Sequence, residues 1–165
     1  MSGSEEKRFA RLTYEQAVRK YADTVTRVCM MRLRNFADAE DCFQNVFFKL
    51  CFKSPDFENE EHLKAWLIRV AIHECVSYLR KNRGVLPLDA AKEQAVMFDW
   101  DTSDMSWALM QTPPKYREVL YLYYCERYKV AEIAQILGKN ENTVKSLLKR
   151  GRERLNSIYG GDTLE

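Results

Sequence analysis

Apolar side chains recur at Tyr14, Val18, Tyr21, Val25 and Val28, in steps of four and three that lay one stripe along a helix. Asp38 reads as the cap of a second helix, with Glu40 and Asp41 in a first turn where the helix dipole favours negative charge. Its stripe is Phe43, Val46, Phe47, Leu50 and Cys51. Pro55 and the polar run 56–61 interrupt the pattern. Leu63, Trp66, Leu67, Val70, Ala71, Cys75, Tyr78 and Leu79 then mark a third helix, ending in Arg80, Lys81 and Arg83 before Gly84. No stretch alternates with period two for long enough to argue a strand, so this first block reads as a helical bundle.

From Gly84 to Asp104 the periodicity fades. Pro87 with Asp89, Asp99, Asp101 and Asp104 predicts an acidic linker, with room for one short helix over 90–97. A segment of roughly 20 residues reaches about 70 Å when extended. A second helical block begins at 107–110. Pro113-Pro114 opens the next helix, with Tyr116, Val119, Leu120 and Tyr123 on one face. Then follow a short helix over 130–137, a turn at Gly138-Lys139-Asn140, and a long helix from about Glu141 to Ile158.

The segment VAEIAQILGKNENTVKSLLKRGRER, from Val130 to Arg154, carries the strongest local signal. Ile133 and Leu137 face inward on a short helix, Ala134 is small enough for a second helix to cross closely, and Gly138 allows a left-handed turn. Val144, Leu148, Gly151 and Leu155 repeat at four, three and four, which is helix-turn-helix spacing. Asn142, Thr143, Lys145, Ser146, Lys149, Arg150 and Arg152 are then available on the face opposite that stripe. The short side chains near its start suit base edges, and the later cations suit phosphates.

Composition narrows the picture. Hydrophobic residues at 46% and charged residues at 30% belong to a folded chain. The polar start, 1–7, and the lack of any apolar run near the roughly 18 residues that span a bilayer predict a cytoplasmic protein without membrane insertion. The 5 cysteines, Cys29, Cys42, Cys51, Cys75 and Cys125, are never spaced as C-x-x-C, and only His62 and His73 could join them as metal ligands. They read as reduced structural thiols, with no metal and no cofactor expected. Residues 1–83 carry 15 basic and 12 acidic side chains, 84–106 carry 1 and 5, and 107–159 carry 10 and 5. Two basic blocks flanking an acidic connector suit two polyanion-binding modules whose joint avoids that polyanion.

On these residues the chain resembles the extracytoplasmic-function (ECF) sigma factors of bacterial RNA polymerase. PPKYREVLYLYYCERYKVAEIAQILGKNENTVKSLLKRGRERL is similar to the family's region four, which reads the upstream promoter element. DAEDCFQNVFFKL resembles the helix that docks on the polymerase clamp, and HLKAWLIRVAIHECVSYLRKNR the segment that opens and reads the downstream element. The resemblance covers roughly residues 14–159. It implies an all-α chain: a region-two-like domain over 1–83, an acidic linker over 84–106, and a region-four-like helix-turn-helix domain over 107–165. It also implies partners: bacterial core RNA polymerase, promoter DNA and an anti-sigma factor.

By the same resemblance, Asp38, Asp41, Gln44 and Asn45 beside Phe47 form the polymerase-binding face. Phe57 lines a pocket for a base flipped from the stack, with Asn59 and Glu60 near it, while Trp66 belongs to the core. Arg69, His73, Ser77, Arg80 and Lys81 follow the strand backbone. The linker either imitates an RNA chain in the polymerase channel or serves as a charged spacer. Asn45 stands where the family commonly has Glu, His73 where Asn is common, Leu147 where Arg usually meets phosphate, and Gly151 where Ala is usual. That glycine is expected to cost about 1 kcal/mol of helix stability.

An enzyme finds little support. There is no Gly-rich phosphate loop, and His73-Glu74 does not complete H-E-x-x-H because Ser77 takes the second histidine's place. The competing reading is a helix-turn-helix regulator that binds duplex DNA without core polymerase.

Overall fold

The computed structural model describes residues 8–9, 11–33, 35–82 and 104–159. Most of the expected linker, and the short helix expected over 90–97, lie outside the described residues. The chain divides into two compact units, Met1–Gln94 and Ala95–Glu165.

In the first unit three helices, α1 (Tyr14–Leu33), α2 (Phe36–Lys53) and α3 (Glu60–Lys81), pack mutually around one core. Its centre is Val25, Cys29, Val46, Leu50, Leu63, Ile68, Ala71 and Cys75, all fully buried. The chain enters through a two-residue strand pair, β1 (Arg8–Phe9) and β2 (Leu12–Thr13), too short for period two to register in sequence. It seats Phe9 against Tyr14 and Phe57.

Three details differ from the expectations. The cap of α2 is Asn35, whose side chain accepts the Asp38 N–H, so Asp38 sits inside the first turn. On α3 the core line runs through Ile68 and Ile72, while Trp66 is half-buried and Leu79 is exposed. On α6 (Val130–Leu137), Ile136 is buried and Leu137 only partly so.

The second unit comprises α4 (Asp104–Gln111), α5 (Pro114–Leu120), a π-helical turn (Tyr121–Cys125), α6 and α7 (Glu141–Tyr159). Helix α4 begins within the last residues of the expected connector. Arg117, 1% exposed, closes its far end: Nε donates to the Leu109 carbonyl at 2.9 Å, and Nη2 to the Met110 and Thr112 carbonyls at 3.0 and 2.8 Å. A cation on the carbonyl end of a helix meets both the unfilled acceptors and the negative pole of the dipole. The π turn rotates the face read from sequence: Tyr116, Val119, Leu120, Tyr121 and Leu122 are buried, and Tyr123 is half-exposed.

Candidate nucleic-acid interface

Helices α6 and α7 form the helix-turn-helix. Gly138 ends α6 at φ 63° and ψ 35°, the left-handed conformation that glycine adopts without penalty, and the Lys139 N–H closes on the Ala134 carbonyl at 2.9 Å. Asn140 caps α7, its side chain accepting the Thr143 N–H at 2.7 Å. Val144, Leu148, Gly151 and Leu155 are buried as their spacing requires. The approach of α7 to α5 is close: a Cβ on Gly151 would lie 3.0 Å from Leu120 Cδ1.

Opposite that seam, Asn142, Thr143, Lys145, Ser146, Lys149 and Arg150 are all exposed. Asn142, Ser146, Lys149 and Glu153 recur at four, three and four along the outermost line. The exposed Glu153 sets a negative charge at the far end of that line, so along it the part suited to a polyanion is the first two to three turns. Arg152 differs from the rest. It is half-buried, its Nε donates to the Tyr124 hydroxyl at 2.7 Å, and its guanidinium lies 5.4 Å and 5.8 Å from the Tyr123 and Tyr124 ring centres.

In the first unit, Arg69, His73, Ser77, Arg80 and Lys81 are exposed on one side of α3, at spacings of four, four, three and one. At its start, Asn59 is the helix cap: its side chain accepts the His62 N–H at 2.8 Å, so that oxygen is already committed. Phe57 is half-buried, with ring contacts to Phe9 at 6.2 Å, His62 at 5.3 Å and Trp66 at 5.5 Å. It is one wall of an aromatic cluster rather than a free ring. Glu60 faces the other way, paired with Lys20 and close to the Tyr21 hydroxyl. The Lys20 hydrogen bond holds the Glu60 carboxyl below its ordinary range.

On α2, Asp41 and Gln44 are exposed, whereas Asp38 is half-buried and accepts a hydrogen bond from Tyr78. That bond, then burial, pushes the Tyr78 hydroxyl up to about 12. Asn45 donates to Glu74 at 3.4 Å, and Glu74 also pairs with Lys49. A glutamate at 45 would set two carboxylates side by side. Phe47 is 4% exposed and belongs to the core, contrary to its expected place on the docking face. Phe48 and Phe52 are the exposed rings of α2, at 55% and 65%, with ring centres 4.8 Å apart. Their signal was the spacing: Gln44, Phe48 and Phe52 follow Asp41 in steps of three, four and four.

Among the described residues no cluster of His, Cys, Asp or Glu is placed to hold a metal, and no helix is long and apolar enough to cross a membrane. Cys29, Cys42 and Cys75, one from each helix of the first unit, are buried; hydrogen bonding to Cys75, then burial, pushes the Cys42 thiol up, and hydrogen bonding to Cys29 with burial pushes the Cys75 thiol up against the opposing effect of Cys42.

The family model for sigma-70 region 2 matches residues 17–85, and that for sigma-70 region 4 matches 108–155. The ECF RNA polymerase sigma factor SigW of Bacillus subtilis is 27% identical over 154 residues, covering 82% of this chain and 82% of that one. SigM of the same organism is 25% identical over 158 residues, covering 90% and 96%. Among solved structures, the sigma factor RpoE of Bartonella quintana, in complex with the anti-sigma factor NepR, superposes with a TM-score of 0.71 at 26% identity, covering 90% and 98%. With both sigma-70 regions present in order and relatives aligned along most of their length, the chain belongs to the ECF subfamily of bacterial RNA polymerase sigma factors, the subunits that bring core polymerase to promoter DNA and help open it.

Proposed function

We propose that the two units divide this work, and that each role falls to a surface described above. The outer face of α7, from Asn142 and Thr143 through Lys145 and Ser146 to Lys149 and Arg150, reads the upstream element. The short side chains meet base edges and the cations meet phosphates. The observation that carries this reading is the full exposure of that face on a helix held by the left-handed turn at Gly138.

The exposed stripe on α3, Arg69, His73, Ser77, Arg80 and Lys81, follows the downstream strand. The cluster around Phe57 and Trp66 borders the place where a base leaves the stack, with Asn59 setting the loop rather than reading it. Asp41, Gln44 and Asn45, joined by Phe48 and Phe52, meet the polymerase clamp. Polar groups there give register and the two rings give buried area. Residues 1–83 and 107–165 are the two functional domains, and the acidic residues of 84–106 keep the joint away from DNA phosphates.

The factor acts in the cytoplasm, performs no catalysis of its own and needs no cofactor. An anti-sigma protein holds it inactive by covering the α2 face or α7, a reading supported by the NepR-bound relative.

The test is transcription by the full chain with bacterial core polymerase on a promoter selected from random DNA. Asp41→Ala with Gln44→Ala should weaken core binding and initiation together. A chain that ignored core polymerase and bound duplex DNA tightly alone would be the helix-turn-helix regulator instead.

A further inference from the structure

The π turn at Tyr121–Cys125 has no part in the roles assigned above. Such turns are rare and recur at functional sites. Here Tyr121 and Leu122 point into the core, while Tyr123 and Tyr124 emerge half-exposed with rings edge-to-face, 5.0 Å apart. Against them lies Arg152 of α7, stacked near both rings and bonded through Nε to the Tyr124 hydroxyl. Nε carries one of the five guanidinium N–H donors. The bond leaves the four on Nη1 and Nη2, the pair of nitrogens that grips a phosphate.

Position on the helix says which phosphate chemistry is within reach. Arg152 follows Lys145 by seven residues, two helical turns, so these two cations share one flank of α7, beside Lys149 of the outermost line. A helix lying in the major groove meets base edges along its outermost line and the groove's phosphate walls along its flanks. We propose that Tyr124, assisted by the ring of Tyr123, is a positioning residue that holds Arg152 along that flank, ready for one backbone phosphate of the upstream promoter duplex. An arginine free in solvent must lose its rotamer freedom when DNA arrives. Fixed on a hydroxyl and two rings, this one has lost it beforehand, which favours the bound state. The inference rests on the assignment of α7 to DNA.

The experiment uses holoenzyme assembled from the full chain and bacterial core polymerase, with promoter affinity measured across a series of salt concentrations. Arg152→Gln should weaken binding about tenfold and flatten the salt dependence by about one unit of slope. Tyr124→Phe keeps the ring and removes the hydroxyl. It should weaken binding about threefold, lower the slope by part of a unit, and have no further effect in the Arg152→Gln background. Thermal midpoints of each variant report on folding separately. If Tyr124→Phe and Arg152→Gln move only the midpoint, leaving affinity and slope as they were, the trio is a staple of the fold and the proposal fails. Arg150→Gln separates the two layers. Weakened binding there with an unaffected Tyr124→Phe overturns the positioning role alone, whereas unchanged binding in Arg150→Gln removes α7 from the DNA and the proposal with it.

Discussion

Gly151 looks like a flaw in a recognition helix until its neighbour is considered. Alanine there would gain about 1 kcal/mol of helix propensity, but its Cβ would press on Leu120, which is fully buried and 3.0 Å away. Overpacking of a tight core costs about 1–3 kcal/mol. Gly151→Ala should therefore lower stability by about 1 kcal/mol net, and combining it with Leu120→Val should recover part of that loss. Denaturant midpoints of the single and double variants decide it, and a stabilised Gly151→Ala would show that Leu120 yields freely. Tyr78 makes a second residue-level case. Its hydroxyl is raised from 10.0 to about 12, chiefly by the hydrogen bond it gives Asp38. A raised value means that the folded state favours the protonated form. The stabilisation is complete below pH 10 and fades as pH climbs toward 12. Wild type should lose more stability than Tyr78→Phe between pH 9 and 12, as followed by urea unfolding; equal losses would remove the Asp38 bond from the account.

At the level of elements, α2 sets a buried ring beside an exposed one within two adjacent residues. Phe47→Ala should cost about 3–5 kcal/mol as a core deletion. Phe48→Ala should leave the melting temperature nearly unchanged and weaken core polymerase binding severalfold. If Phe48→Ala bound polymerase normally, the two exposed rings would have no place on that interface. The run VFFKLCF explains why sequence placed the buried Phe47 on the surface: with apolar residues on nearly every side, its period does not say which phenylalanine faces out. The helix-turn-helix was legible because its seam, its glycine turn and its polar face alternate cleanly over 25 residues, Val130 to Arg154. The caps were half legible. Asn35 and Asp38 are both good capping residues three positions apart, and only the backbone of Asn35, extended at φ −120° and ψ 123°, decides between them. Asn59 marks the same limit at α3, where a polar residue in a loop serves equally as a cap or a base contact. Asn59→Ala should cost about 1 kcal/mol of stability with promoter opening intact once the protein is folded. Opening lost at full stability would return that residue to the DNA.

Across the whole molecule, charge and core follow the same division. Each compact unit has its own buried apolar set, Phe9 to Cys75 in one and Ala108 to Leu155 in the other. Residues 1–94 and 95–165, expressed separately, should each unfold cooperatively, the first keeping its grip on core polymerase and the second a weak, salt-sensitive hold on duplex DNA. A fragment that stayed unfolded in isolation would show that its core is incomplete. The least legible feature was Arg117, because its partners are carbonyls, which no sequence displays. At 8 residues α4 is too short to persist alone in water, and the group that completes its last turn sits on the following helix. Assembly of this unit consequently has a direction in time. The later helices must gather before α4 can hold its shape, so in hydrogen exchange the α4 amides should open ahead of those in α7, the first part of the unit to loosen and the last to close.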